Sequence, residues 1–182
     1  MIEPSHLLVD IIRPVLESLG FHRGDAARLR RDSGLILGTA CAESDCGRWL
    51  RQFDGGPAIG VWQMEPETYG DCWTNYLDAR PILRAKILDF ASSRSQQIEH
   101  GDDGVVRIIP PPAEEMIGNL PFACAMARIK YFRDPETIPD TLHGQAEYWK
   151  KVYNTEKGAG TAEKYLQKWD QFIGRGGQRF SE

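Results

Sequence analysis

The chain has 182 residues, 41% of them hydrophobic and 26% charged, a composition that excludes disordered, collagen-like and coiled-coil architectures for its bulk. This length suits one domain, with a core large enough to need no metal or disulfide staple. The 22 Lys and Arg against 26 Asp and Glu give a net charge of −4 without a long basic run, which argues against nucleic acid as the main ligand.

The opening Met1-Ile2-Glu3-Pro4-Ser5-His6 has no basic region followed by an apolar one, so no signal peptide is expected. No stretch approaches the ~20 apolar residues of a spanning helix. The chain is therefore expected to be made in the cytoplasm without stable membrane insertion. Its four cysteines, Cys41, Cys46, Cys72 and Cys124, are expected as ordinary thiols. Neither they nor His6, His22, His100 and His143 show metal-ligand spacing, so no metal or other cofactor is expected.

Apolar residues recur at helical spacing from Leu7 to Leu19, with Gly20 as a stop. Asp25 to Arg31 begins a second helix, and Asp32 or Ser33 would cap a further segment, Leu35 to Ala42. That segment is apolar nearly all round, the mark of a helix buried at the centre of a fold. Trp49 to Phe53 and Ala58 to Trp62 have the length of strands in a small hairpin around Asp54-Gly55-Gly56-Pro57. A helix starts at Glu65-Pro66-Glu67, where acids suit the N-terminal dipole, and another covers 80–91. Residues 92–113 read as an excursion loop or small hairpin, with Gly101-Asp102-Asp103-Gly104 and the β-prone run Val105 to Ile109. Asn119 caps an apolar helix from Leu120 to Phe132. Helices over 141–153 and 161–172 follow. The expectation is a mostly α (α+β) fold with a minor β element, one domain over 1–173, and a mobile tail over 174–182.

Three places carry chemistry. Glu43 ends the buried helix in Cys41-Ala42-Glu43-Ser44. Burial and the negative end of a helix dipole both favour the protonated carboxyl, and a Glu kept protonated near neutrality can act as a general acid. The competing reading is an exposed last turn without a role. Gly56 to Met64 surrounds Gln63 with small and apolar residues, suiting backbone close to a ligand; the competing reading is core. Tyr153-Asn154 can present a phenol and an amide at a helix end, or be a core Tyr with an Asn cap.

In this order, Glu43-Ser44, Gly60-Val61-Trp62-Gln63 and Val152-Tyr153-Asn154-Thr155 resemble the motifs of the soluble lytic transglycosylases of the lysozyme superfamily, Glu-Ser, Gly-Leu-Met-Gln and Ala-Tyr-Asn-Ala-Gly. The wording Gly55 to Pro66, with Thr68-Tyr69 and Tyr148 to Thr155, is most similar to transglycosylase-like proteins of tailed bacteriophages. Trp62 stands where the family has Met, Val61 where it has Leu, and Thr155-Glu156-Lys157 precedes Gly158. The resemblance implies a lysozyme-like fold and cleavage of the β-1,4 bond between N-acetylmuramic acid and N-acetylglucosamine in peptidoglycan glycan strands. Glu43 would protonate the glycosidic oxygen and then act as base on the muramic 6-hydroxyl, giving a 1,6-anhydro product. Ser44, Trp62, Gln63, Tyr153 and Asn154 would bind substrate or steady the acid. Hydrolysis would need a second carboxylate roughly 5 to 10 Å away; Asp45, Asp54, Glu65 and Asp71 are the candidates. Of Trp49, Trp62, Trp73, Trp149 and Trp169, only Trp62 is expected near the cleft, the others as core or rim.

The resemblance further implies action from a phage virion or in the host periplasm, with other virion proteins as partners. The alternative from another class is a non-catalytic structural virion or interaction protein that retains the lysozyme fold. A chitinase-like glycosidase using the same acid is a third option.

Overall fold

Pro4 supplies the fixed backbone angle of a first helical turn, and the chain enters through α1 (Pro4–His6), a π-helical turn (Leu7–Ile12) and α2 (Arg13–Leu19). This is the stretch that the apolar spacing predicts, and it stops at Gly20 in the left-handed conformation, φ 75°. The computed structural model describes residues 1–100, 106–154 and 158–174.

The next helix differs from its expectation. Asp25 accepts hydrogen bonds from the amides of Ala27 and Arg28, and α3 (Ala26–Ser44) runs without a break. Asp32 and Ser33 cap nothing. Asp32 is buried inside the helix, where its carboxylate receives Arg128 Nη2 at 3.0 Å and the Arg31 guanidinium at 3.0 Å. A charge so partnered need not interrupt a helix, because its desolvation is offset by opposite charge and hydrogen bonds. The Arg128 guanidinium also lies over the rings of Phe21 and Phe132. α3 is walled in on most sides. Gly38 is essential to that: a Cβ there would fall 1.9 Å from the Tyr165 hydroxyl.

After α3, Asp45, Cys46 and Gly47 all take positive φ and turn the chain back. The expected hairpin over 49–62 is absent as regular strands. Only isolated bridges pair Arg51 with Ile59 and Ile59 with Met64. Gly60 (φ 77°) and Gln63 (φ 44°) interrupt the extended run, and turn bonds such as Gly60 N to Leu50 O satisfy the backbone instead.

α4 (Pro66–Cys72) leads through a π turn (Trp73–Leu77) to α5 (Pro81–Leu88). The excursion contains the molecule's described sheet, β1 (Gln97–His100) antiparallel to β2 (Val106–Ile109), with Gln97 opposite Ile109; residues 101–105 between them lie outside the described residues. α6 (Glu115–Gly118) precedes α7 (Leu120–Phe132), capped by Asn119 as its sequence predicts. α8 (Leu142–Tyr148) passes into a π turn (Trp149–Asn154), and α9 (Ala162–Phe172) closes the domain. Thr155 to Lys157 of the third motif, and the tail from Arg175 onward, lie outside the described residues. The class is mostly helical with a small antiparallel sheet. Among the described residues no helix is long and apolar enough to cross a membrane.

Asp32→Ala is expected to cost about 3–5 kcal/mol in urea unfolding, because Arg128 is left buried without its carboxylate. An Asp32→Leu, Arg128→Met double variant should lose much less. Equal losses in the two variants would show that the ion pair is not what the core depends on here.

Candidate functional site

The C-terminal turn of α3 opens on a cleft of about 470 Å³. Glu43 lines it, half-buried at the last turn of the helix. The Trp149 indole N–H donates to Glu43 Oε1 at 3.0 Å, and the Asn154 side-chain amide is a second donor. Loss of water around the carboxyl lifts its pKa to about 7. The Lys130 ammonium, the Trp149 bond, Lys164 and the Asn154 bond pull in the opposite direction. Burial therefore outweighs two cations and two donors.

The π turn explains how both donors reach one carboxyl. Trp149 and Asn154 are five residues apart, and in a regular α-helix they would point to different faces. Bonds of the i→i+5 type widen the turn and bring the indole and the amide to the same side. Asn154 is itself fixed, since its Oδ1 accepts from Gly160 N and from Lys150 Nζ, each at 3.1 Å.

Three residues of the predicted set meet Glu43 in this cleft: Gln63, Tyr153 and Asn154. Gln63 is held by its left-handed backbone and by Nε2 bonds to Gly60 O at 2.7 Å and Trp49 O at 3.2 Å. Its amide oxygen is thus the part left for a ligand. Tyr153 lies against the cleft wall, while its hydroxyl points inward and donates to Trp62 O at 2.9 Å.

Two predicted residues lie elsewhere. Ser44 is 1% exposed and does not line the cleft: its hydroxyl donates to Val61 O at 2.5 Å and accepts from Gly47 N at 2.8 Å. A short polar side chain at a helix end is captured by the adjacent turn before it can reach a ligand. Trp62 is also 1% exposed; its indole is core, donating to Ile36 O at 2.9 Å. The cleft aromatics are instead Trp49, 39% exposed, and Phe53, 81% exposed, packed edge to face at 4.9 Å.

Lys130 joins the site without a motif to mark it. It lines the cleft, donates to Tyr153 O at 2.6 Å and sits over the Tyr153 ring at 3.9 Å. Burial lowers its pKa, and Glu43 is the first of the groups that oppose the shift. The sequence does carry a signal: Arg128 and Lys130 are two cations in a helix whose other residues are apolar or aromatic, and each needs a partner when buried. Trp149 is expected as packing, and its N–H role follows only from the fold.

Of the four carboxylates weighed as second acids, Asp54 and Glu65 line the cleft. Asp45 is held by Lys168 at 2.6 Å, and Asp71 by Arg133 and Asn75. Among the described residues no three His, Cys, Asp or Glu side chains converge as a metal site requires. No family model, curated protein or solved structure matches the chain.

The Glu43 pKa of about 7 lies above the 4.5 of an ordinary Glu. The folded chain therefore binds the extra proton, and the stability this contributes is full below about pH 4.5 and lost as pH rises through 7. In thermal scans from pH 4 to 8, Glu43→Gln should remove that slope and be relatively more stable at pH 8. Carbon-13 titration of the carboxyl should read about 7 in the wild type and higher in Lys130→Met, since a nearby cation favours the carboxylate. An unchanged value in Lys130→Met would mean that Lys130 does not act on Glu43.

Proposed function

We propose that this protein cleaves the glycan strands of peptidoglycan at the β-1,4 bond after N-acetylmuramic acid, as a lytic transglycosylase with Glu43 as its acid and base. The observation that carries this reading is a carboxyl with a pKa of about 7 in the wall of the cleft, fixed by Trp149 and Asn154. Such a group holds a proton in a useful fraction of molecules at neutral pH and can return to the carboxylate form without a large cost. It gives its proton to the glycosidic oxygen as the C1–O bond breaks, and as carboxylate it then takes the proton of the muramic 6-hydroxyl. That oxygen closes on C1, which leaves a 1,6-anhydro ring and consumes no water.

The surrounding groups fit a sugar. Trp49 and Phe53 offer an aromatic face at the cleft mouth, and the Gln63 amide oxygen offers a hydrogen-bond acceptor to hydroxyl and acetamido N–H groups. Lys130 and Lys164 face the partial negative charge that develops on the reacting oxygens. Virion delivery, action in the host periplasm and contacts with other virion proteins belong to this same reading.

Glu43→Gln should abolish release of soluble muropeptides from purified peptidoglycan, with the fold retained. Mass spectrometry of the wild-type digest should find anhydro ends. A product one water heavier would assign hydrolysis, with Asp54 or Glu65 as the second carboxylate. No product at high protein concentration would favour a non-catalytic virion protein. Trp49→Ala should raise KM about two- to tenfold with kcat little changed, the size of one aromatic contact.

A further inference from the structure

Cys41 and Cys46 are five residues apart, and on a continuing helix they would point well away from each other. The turn after α3 changes this. With Asp45 and Cys46 both at φ 53° and Gly47 at φ 76°, the chain doubles back, and Cys46 N bonds to Ala40 O at 3.0 Å. The two sulfurs end 3.1 Å apart, both residues 0% exposed. A left-handed backbone is unfavourable for side-chain-bearing residues, so the turn must be held from outside. It is held by the Ser44 hydroxyl on Gly47 N and Val61 O, by the Asp45–Lys168 ion pair, and by Ile2 N on Cys46 O at 2.7 Å. Among the described residues Cys72 and Cys124 show no such pairing with another cysteine: Cys72 Sγ accepts from Arg133, and Cys124 is enclosed in the core.

We propose that Cys41 and Cys46 are a disulfide site, oxidised to a cystine by a disulfide oxidant such as oxidised glutathione. The inference reverses the expectation of ordinary thiols and does not depend on any activity of the cleft. The closure needs about 1 Å of sulfur movement to reach bonding distance. In the first step one protein thiolate attacks a sulfur of the oxidant, whose S–S bond breaks and releases one thiol. In the second step the remaining protein sulfur displaces the oxidant's other half, which leaves as a second thiol. Each protein thiol loses one proton and one electron, and the oxidant takes up both pairs. The hydrogen bond that the Cys41 thiol donates to Cys46, followed by burial, holds Cys41 in its thiol form. The segment before α1 covers Cys46 through Ile2, and its opening admits the oxidant. The resulting ring encloses residues 41–46 and with them Glu43, so the crosslink locks the end of α3 that carries the cleft carboxyl.

The test uses the reduced full chain, incubated with oxidised glutathione at pH 8, quenched with acid, unfolded and alkylated. A loss of about 2 Da is expected, with two thiols left to alkylate, a linked peptide joining Cys41 to Cys46, and reversal by dithiothreitol. The oxidised form should melt about 5 °C higher, as a short closed ring predicts. Labelling of all four thiols, a link through Cys72 or Cys124, or a glutathione adduct that persists on Cys46 would each overturn the proposal. Because the reading comes from the wild-type chain, it does not depend on whether Cys41→Ser folds.

Discussion

Two neighbouring carbonyls hold the cleft together. Val61 O receives the Ser44 hydroxyl, from the end of the helix that bears Glu43, and Trp62 O receives the Tyr153 hydroxyl across 91 residues of sequence. Each of these hydroxyls is buried, so breaking either bond leaves a polar group without water, at about 1–3 kcal/mol. The turn over 60–64 is thereby fixed to both walls of the cleft. That attachment keeps Gln63 left-handed and facing the cavity, although a non-glycine residue would otherwise leave that conformation.

The charge arrangement follows from the same packing. Glu43 and Lys130 are both partly removed from water, and each is pushed toward its neutral form. Their mutual attraction resists this without cancelling it. The result is a carboxyl balanced between two states, which neither full burial nor full exposure would give. Asp45 and Asp71 are neutralised by Lys168 and Arg133 outside the cleft, so they add little to the field at Glu43.

Much of the helical framework was legible because its signals are local. Asn119 accepts from the amide of the first helical turn that it is expected to cap, Thr141 and Thr161 cap the helices expected to begin there, and Gly20 stops α2 where its sequence says. Asp32 departs from its expected role because a cap and a buried salt-bridge partner look alike in sequence; only the distant Arg128 distinguishes them. The segment 49–64 has the length and residues of strands, but its backbone bonds depend on Gly60 and Gln63 turning, which periodicity does not report. At the site, Glu43, Gln63, Tyr153 and Asn154 share one cleft, which the resemblance of their motifs implies and the spacing alone does not. Trp62 and Trp49 exchanged roles because hydrophobicity says that an indole is wanted without saying on which side of the backbone. For Lys130 the sequence signals only that a buried cation needs a partner; that the partner is Glu43 depends on which face of α7 looks into the cavity.

The π turn at Trp149–Asn154 also bears on how such a site tolerates changes in chain length. The cleft carboxyl is held by residues whose common facing depends on one extra residue per turn. Removing a single residue between them would restore regular helical winding with the indole and the amide four apart, still on one face. Rewinding the same stretch at unchanged length would instead leave them five apart in an α-helix and turn Asn154 away from the carboxyl. The pairing thus tolerates the loss of one residue better than a change of winding, because the wide turn absorbs one residue more than a regular helix would hold.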